Sequence, residues 1–290
     1  MNSTLVLRIP RTWGSPKGGP HLSELPFFFF IHHCALYFDA HSFLLSFIAY
    51  VMSSIKLNVD PSIRNNEFKA LSNGIKCIVF DCDGVLVDAI SSWRTLHDHF
   101  GTDNSENLRR FIAGEFSDVE FMRSDIQLWK AIQDPIHRDE LFRAYSGSKL
   151  MPGARELVSW LKEQGCFVAI VSAGVDLFVG SIASMLNVDD WVANGFIFDE
   201  EGYLTDEGNC RLHATGKGAI IEKICQQHGF NPNEVLSVGD SEMDLSMWIK
   251  DSQFIGFNPT RETSKQAFLN AGVPVINIRN CLEIKKHLGY

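Results

Sequence analysis

Two aspartates one residue apart, Asp81 and Asp83 in Phe80-Asp81-Cys82-Asp83-Gly84, stand at the end of the apolar run Ile78-Val79-Phe80. A carboxylate can attack an electrophile, carry a proton or bind a hard cation, and two this close repel unless a cation lies between them. The pair therefore points to an oxygen-loving divalent ion such as Mg²⁺. A second acidic pair, Asp240 and Asp244, follows a second apolar run, Val235 to Val238. Between the two pairs lie Ser172-Ala173-Gly174, closing the run Phe167 to Val171, and Lys217, opening the amphipathic segment Ala219 to His228. The first can offer a hydroxyl and backbone N–H groups to an anion, the second a positive charge. Each block alone has an ordinary explanation as a solvated turn, a helix cap or a surface lysine. All four in order, each where a strand gives way to a helix, argue for one site.

The elements that must position these residues are legible in the apolar patterning. Ile75, Cys77, Ile78, Val79 and Phe80 read as a strand buried on both faces, as in a parallel sheet, and open parallel sheets bind ligands at the carboxyl ends of their strands. Period-two alternation turns Cys82 away from its flanking acids, so it reads as a packed core thiol. Downstream, the pattern predicts a helix over 153–164, opened by Pro152 and stopped by Gly165, then a helix near Leu177 to Leu186 and a hairpin turning at Glu201-Gly202. Strand Phe254 to Phe257, helix Glu262 to Asn270, strand Val273 to Ile278 and a last helix near Cys281 to Leu288 complete it. The fold expected is α/β, a doubly wound, Rossmann-like parallel sheet formed by 76–88 and 151–290. Residues 89–150 carry helical periodicity instead. Ile90, Trp93, Leu96 and Phe100 make one stripe, and Met122, Ile126, Trp129 and Ile132 another, the second preceded by a Ser117…Glu120 capping box. A small helical cap inserted after the first strand is the expectation.

The four blocks resemble the four motifs of the haloacid dehalogenase superfamily: DxDGxL at Asp81 to Leu86, a small hydroxyl residue at Ser172, a lysine at Lys217 and GDxxxD at Gly239 to Asp244. The resemblance runs from about Lys76 to Tyr290. Dehalogenases of the superfamily lack the second acid, whereas phosphatases and phosphomutases resemble this chain in having one at Asp83. The resemblance implies phosphoryl transfer with Asp81 as nucleophile, giving an aspartyl-phosphate, and Asp83 as general acid and base. Ser172, Ala173 and Lys217 would hold the phosphoryl oxygens. Mg²⁺ would be bound by Asp81, the backbone carbonyl of Asp83 and Asp240, with Asp244 completing or orienting that shell.

Within the superfamily the chain is most similar to phosphoserine phosphatases, in VSAGVDLFV from Val171, ANGFIFDEEGYLT from Ala193 and TGKGAIIEKI from Thr215. A small phosphorylated metabolite, phosphoserine first, is the substrate this implies. Two positions depart from that pattern: the cap glutamate used for the substrate amine falls on Ile90, and the asparagine before the last motif aspartate is Met243. Of the cap arginines Arg94, Arg109, Arg110 and Arg123, we take Arg123 as the residue that would clamp a substrate carboxylate. Two alternatives stand beside this reading. A phosphomutase or phosphotransferase would share the chemistry but pass the phosphoryl group to a sugar. A membrane-attached binding or regulatory protein on an inactive scaffold would be expected to lack an essential acid, and all four acids are present.

Composition agrees with a globular enzyme: 290 residues, 45% hydrophobic and 21% charged, with net charge −9 and no basic run to bind nucleic acid. The seven cysteines are scattered without a C-x-x-C pair, which suits a reducing cytoplasm. Oligomeric state leaves no mark on the sequence. Residues 1–75 follow none of the core pattern. Leu25 to Met52 is long and apolar enough to span a bilayer, but it contains His32, His33, Asp39 and His41, and a central Asp costs roughly 2.5–3.5 kcal/mol on insertion. The change in character at Met52 leads us to expect that residues 1–51 are not part of the native protein, a membrane anchor being the alternative, and that 52–75 are a polar lead-in.

Overall fold

The structure is a computed structural model and describes residues 68–290. The expectations for the apolar segment and for a start at Met52 fall outside these residues. From Phe68 onward the lead-in is packed: the Phe68 ring lies edge-on to Phe167 with centroids 5.1 Å apart, and Leu71 is buried.

A seven-stranded sheet organises the described residues in the order β4-β3-β2-β1-β5-β6-β7. The strands are β1 (Cys77–Phe80), β2 (Phe167–Val175), β3 (Asp190–Phe198), β4 (Leu204–Asn209), β5 (Val235–Gly239), β6 (Gln253–Phe257) and β7 (Val275–Ile276). All pairings are parallel except that of β4 with β3, the predicted hairpin. The chain winds outward from β1 to β2 and β3, then returns to place β5 on the other side of β1. The switch in winding direction therefore falls between β1 and β5, the point at which doubly wound sheets open a crevice at their carboxyl ends.

Period-two alternation along β1 explains why both faces are covered. Ile78, Phe80 and Cys82 join one apolar cluster with helices α5 (Ala154–Glu163) and α6 (Asp176–Leu186). Cys77 and Val79 join the opposite cluster, with α7 (Lys217–His228) and α8 (Glu262–Ala271). Cys82 is fully buried, as its alternation predicts. Two predicted elements are shorter than expected. Strand Val273 to Ile278 reduces to β7, and the last helix splits into a 3-10 turn, Cys281–Glu283, whose start Asn280 caps by accepting from Leu282 N, and α9 (Ile284–His287).

Helices α1 (Ser92–Phe100), α2 (Ser105–Ile112), α3 (Asp118–Lys130) and α4 (Arg138–Ala144) lie between β1 and α5. The insertion leaves and rejoins the sheet through paired linkers: Asp88 N donates to Lys149 O, and Met151 N to Leu86 O. Ser117 and Glu120 form the expected capping box at the start of α3. Both predicted stripes lose one member. Ile90 precedes α1 and is 86% exposed, and Ile132 follows the end of α3 and is 62% exposed, because each helix begins or stops before its ridge reaches that residue. Trp129 is fully buried against Trp93, Phe100 and Phe196, in the cluster that also holds Leu96 and Ile126. Its indole N–H donates to His97 Nδ1 at 3.1 Å, which leaves the ring proton on Nε2, 3.2 Å from Asp125 Oδ1. Trp129→Ala should therefore open a cavity and remove one of the two partners of His97 Nδ1, leaving Thr102 Oγ1 at 2.7 Å, at a cost of about 3–5 kcal/mol, read as a lower urea midpoint. A midpoint unchanged within error would place the insertion's stability elsewhere.

Candidate active site

Asp81 follows β1, its N–H donating to Val238 O on β5 at 2.9 Å. Alternation puts its side chain on the Cys77 and Val79 face, the face covered by α7. Lys217 is the first residue of α7, so its stem runs out of the helix toward the strand ends. The Lys217 ammonium is buried and lies 2.8 Å from Asp81 Oδ1 and 2.6 Å from Asp244 Oδ1. Burial by itself would lower its pKa, but attraction to Asp244 and Asp81 outweighs this and holds it above the ordinary lysine range.

Asp240 and Asp244 come from the turn after β5. Asp244 Oδ2 accepts from Ser241 Oγ, Ser241 N and Asp240 N at 2.8, 2.9 and 3.1 Å, closing a capping box on the 3-10 turn Glu242–Met247. One oxygen of each of Asp81, Asp240 and Asp244 lies within 4.8 Å of the others. One ammonium against three crowded carboxylates leaves a negative excess. Burial, then repulsion from Asp244 and Asp81, pushes the Asp240 carboxyl up to about 8, and burial raises Asp81 to about 6 against the pull of Lys217. Hard oxygen donors with this excess suit a divalent cation. Gly84 makes the convergence possible. With φ +75° it turns the chain back, and a Cβ there would sit 2.5 Å from Asp240 Oδ2.

Asp83 occupies a different environment. Its Oδ2 accepts from both the backbone N and the hydroxyl of Ser92, each at 2.7 Å, while its buried Oδ1 has no hydrogen-bond partner. Burial raises its pKa and the two Ser92 bonds partly offset that. Ser172, at the irregular end of β2, accepts from Gly174 N through Oγ at 3.1 Å, which leaves its own proton available to donate. The strand continues through Ser172-Ala173-Gly174, and α6 begins at Asp176, one residue before the expected helix near Leu177 to Leu186. Ala173 is tied through its carbonyl, which accepts from Trp93 Nε1 at 3.0 Å.

The ion pairs of Lys217 and the carboxylate cluster thus bring Asp81, Lys217, Asp240 and Asp244 together, with Asp83 two residues beyond Asp81. Arg123 is placed differently. Its guanidinium makes a two-pronged pair with Glu207 on β4, at 3.0 and 2.9 Å, so its fork is already occupied. Sequence reasoning missed Ser92, which touches Asp83 only because the start of α1 folds back. The pair Ser91-Ser92 before a helical stripe signals a cap, and nothing local signals a partner for Asp83.

Comparison with known proteins agrees with this geometry. The model of the haloacid dehalogenase-like hydrolase family matches residues 75–249. A phosphoserine phosphatase of Archaeoglobus fulgidus is 34% identical over 185 residues, 63% of this chain and 52% of the relative, so the match spans about half of that protein's length. One of Methanocaldococcus jannaschii is 32% identical over 63% of this chain and 85% of the relative. Among solved structures, a substrate-bound phosphoserine phosphatase complex and a phospho-aspartyl intermediate analogue of phosphoserine phosphatase each superpose with TM-score 0.61 at 26% identity, covering 73% of this chain and 98% of theirs. With the acids, the lysine and the doubly wound sheet all in the arrangement described, this chain belongs to the haloacid dehalogenase-like hydrolase family.

Proposed function

We propose that the protein is a Mg²⁺-dependent phosphomonoesterase that works through an aspartyl-phosphate, with phosphoserine as the leading substrate. The observation that carries the reading is the pairing of Lys217 with Asp81 and Asp244 beside an Asp83 whose inner oxygen is unengaged. Lys217 holds Asp81 by Oδ1, so Oδ2 is the oxygen left to attack phosphorus. As the Asp81–phosphorus bond forms, the bond to the ester oxygen breaks and that oxygen takes a proton from Asp83. Asp83, now a carboxylate, then takes a proton from water as the water oxygen attacks phosphorus and Asp81 leaves. The Ser172 hydroxyl and the Lys217 ammonium hold phosphoryl oxygens throughout. Asp81, Asp240 and the backbone carbonyl of Asp83 would hold Mg²⁺, which when bound supplies charge neutralisation at the phosphoryl group. Both oxygens of Asp244 already accept from protein donors, which favours an orienting role for it.

Phosphoserine rests on the relatives' names and on the motifs they share with this chain. The amine of that substrate finds no partner at Ile90, which is both apolar and exposed. Carboxylate recognition by Arg123 would require it to exchange Glu207 for the substrate. Arg123→Ala should then raise KM for phosphoserine roughly tenfold while changing p-nitrophenyl phosphate little, and Glu207→Gln, which frees the fork, should lower KM for phosphoserine. Equal effects on both substrates would remove Arg123 from recognition.

The covalent step is tested by intact-mass analysis after a rapid quench. Asp81→Asn should form no phosphoryl adduct and turn over at background. Asp83→Asn with p-nitrophenyl phosphate, whose leaving group needs no proton, should accumulate an adduct mapping to Asp81 and lose about 10²–10⁴-fold in turnover. Full activity in Asp81→Asn would exclude the scheme.

The metal has a pH signature. Asp240 and Asp81 have folded-state values near 8 and 6, above the ordinary 3.8, so their ionised forms disfavour the metal-free fold. The stability they contribute is complete below pH 3.8 and is lost as pH rises through 6 and 8; a bound cation reverses the preference. Added Mg²⁺ should therefore raise the melting temperature more at about pH 8 than at about pH 6, and Asp240→Asn should shrink that difference. A Mg²⁺ effect independent of pH and of Asp240 would argue against this site.

A further inference from the structure

Ser92 is the first residue of α1 and fully buried, yet every polar atom it has is committed to the site's surroundings. Its N–H and hydroxyl both donate to Asp83 Oδ2 at 2.7 Å. Its Oγ accepts from Val175 N at 2.9 Å, and its carbonyl accepts from Tyr145 Oη at 3.3 Å. The hydroxyl proton has one direction left once Val175 N points at its lone pair, and that direction is Asp83. Space around the contact is closed as well: a Cβ on Gly174 would lie 2.6 Å from Ser92 Oγ and 2.9 Å from Asp83 Oδ2. The carboxylate of Asp83 is therefore gripped at one oxygen from two sides, and the other, Oδ1, is buried without a partner.

We propose that Ser92 is a positioning residue that fixes the rotation of the Asp83 carboxylate, so that Oδ1 and not Oδ2 faces the leaving oxygen of the phosphomonoester. This rests on the acid–base role proposed for Asp83. An oxygen that accepts from two donors has its lone pairs spent and is directed at α1, so proton exchange with substrate and water falls to its twin. The arrangement also links the helical insertion to chemistry. The same residue that begins α1 bonds to Val175 beyond the phosphate-binding segment, and its neighbour Trp93 bonds to Ala173, so the acid is aligned only while α1 sits against that segment.

The test compares two substrates of one shape: p-nitrophenyl phosphate, whose leaving group departs without a proton, and phenyl phosphate, whose leaving group needs one more. kcat/KM reports the steps up to departure of the leaving group and so isolates the acid role. In Ser92→Ala, kcat/KM for phenyl phosphate should fall about tenfold further than for p-nitrophenyl phosphate, short of the complete loss of acid catalysis expected of Asp83→Asn because the backbone N–H of residue 92 remains. Ser92→Cys, close in shape but a weak donor, should fall between Ala and wild type, and carries the same comparison should Ser92→Ala fail to fold. Equal losses on both substrates in the folded variant would reduce Ser92 to a packing role and overturn the inference. Wild-type protein inactive on both substrates with Mg²⁺ present would instead overturn the phosphatase reading, and this inference with it.

Discussion

The buried ammonium of Lys217 is the interaction on which the rest of the site depends. Three aspartates drawn from two adjacent strands cannot crowd together out of water unless positive charge stands among them, and Lys217 supplies a permanent unit of it through two short ion pairs. It supplies only one. Burial, with repulsion among the remaining negative charges, raises Asp240 and Asp81, and the uncompensated charge makes the cluster receptive to a divalent cation in a way that a fully neutralised one would not be. Lys217 also engages one oxygen of Asp81, Oδ1, and so fixes the rotation of that carboxylate. Electrostatic balance and the orientation of Asp81 thus share one side chain.

The doubly wound topology makes this balance achievable. Because the winding direction switches between β1 and β5, the two acid-bearing strand ends are neighbours without a crossover connection lying over them. Alternation along β1 then sorts the side chains at its end: Phe80 and Cys82 turn into one apolar cluster, and Asp81 turns to the face of α7, whose first residue is Lys217. A one-residue slip of β1 would bury the aspartate among aliphatic side chains and present the cysteine to Lys217. Fully buried residues on both faces oppose that slip.

The core of this site was readable in the sequence because its residues sit where short-range patterns end. An apolar run followed by Asp-x-Asp-Gly, another followed by Gly-Asp, and a lysine opening an amphipathic segment all mark strand or helix termini, and termini are where α/β sheets place chemistry. What was not readable depends on how distant segments meet. Ser92 has the look of any serine beside a helix start, and its pairing with Asp83 follows from the path of the linker. Ile90 and Ile132 extended plausible stripes, but periodicity does not say where a helix begins or stops. Arg123 was singled out by charge and position, and its partner Glu207 belongs to a strand more than eighty residues away. In each case a local pattern identified the residue type and the tertiary fold chose its partner.

The helical insertion is therefore more than a cover. Its far side is fastened to the β3–β4 hairpin by Arg123–Glu207, by Lys130–Asp206 and by backbone bonds from Arg138 N to Gly202 O and Leu204 N to Ile136 O. Its near side reaches Asp83 through Ser92 and the end of β2 at Ala173 through Trp93. The aromatic packing of Trp93, Trp129 and Phe196 lies between these two attachments, so the face of α1 that carries Ser92 and Trp93 cannot shift without disturbing that cluster. A stiff apolar block with an acid-holding serine at one end and a hairpin at the other transmits position by contact alone. Orientation of the Asp83 carboxylate thereby depends on how the insertion packs, and residues remote from the carboxylate cluster take part in setting it.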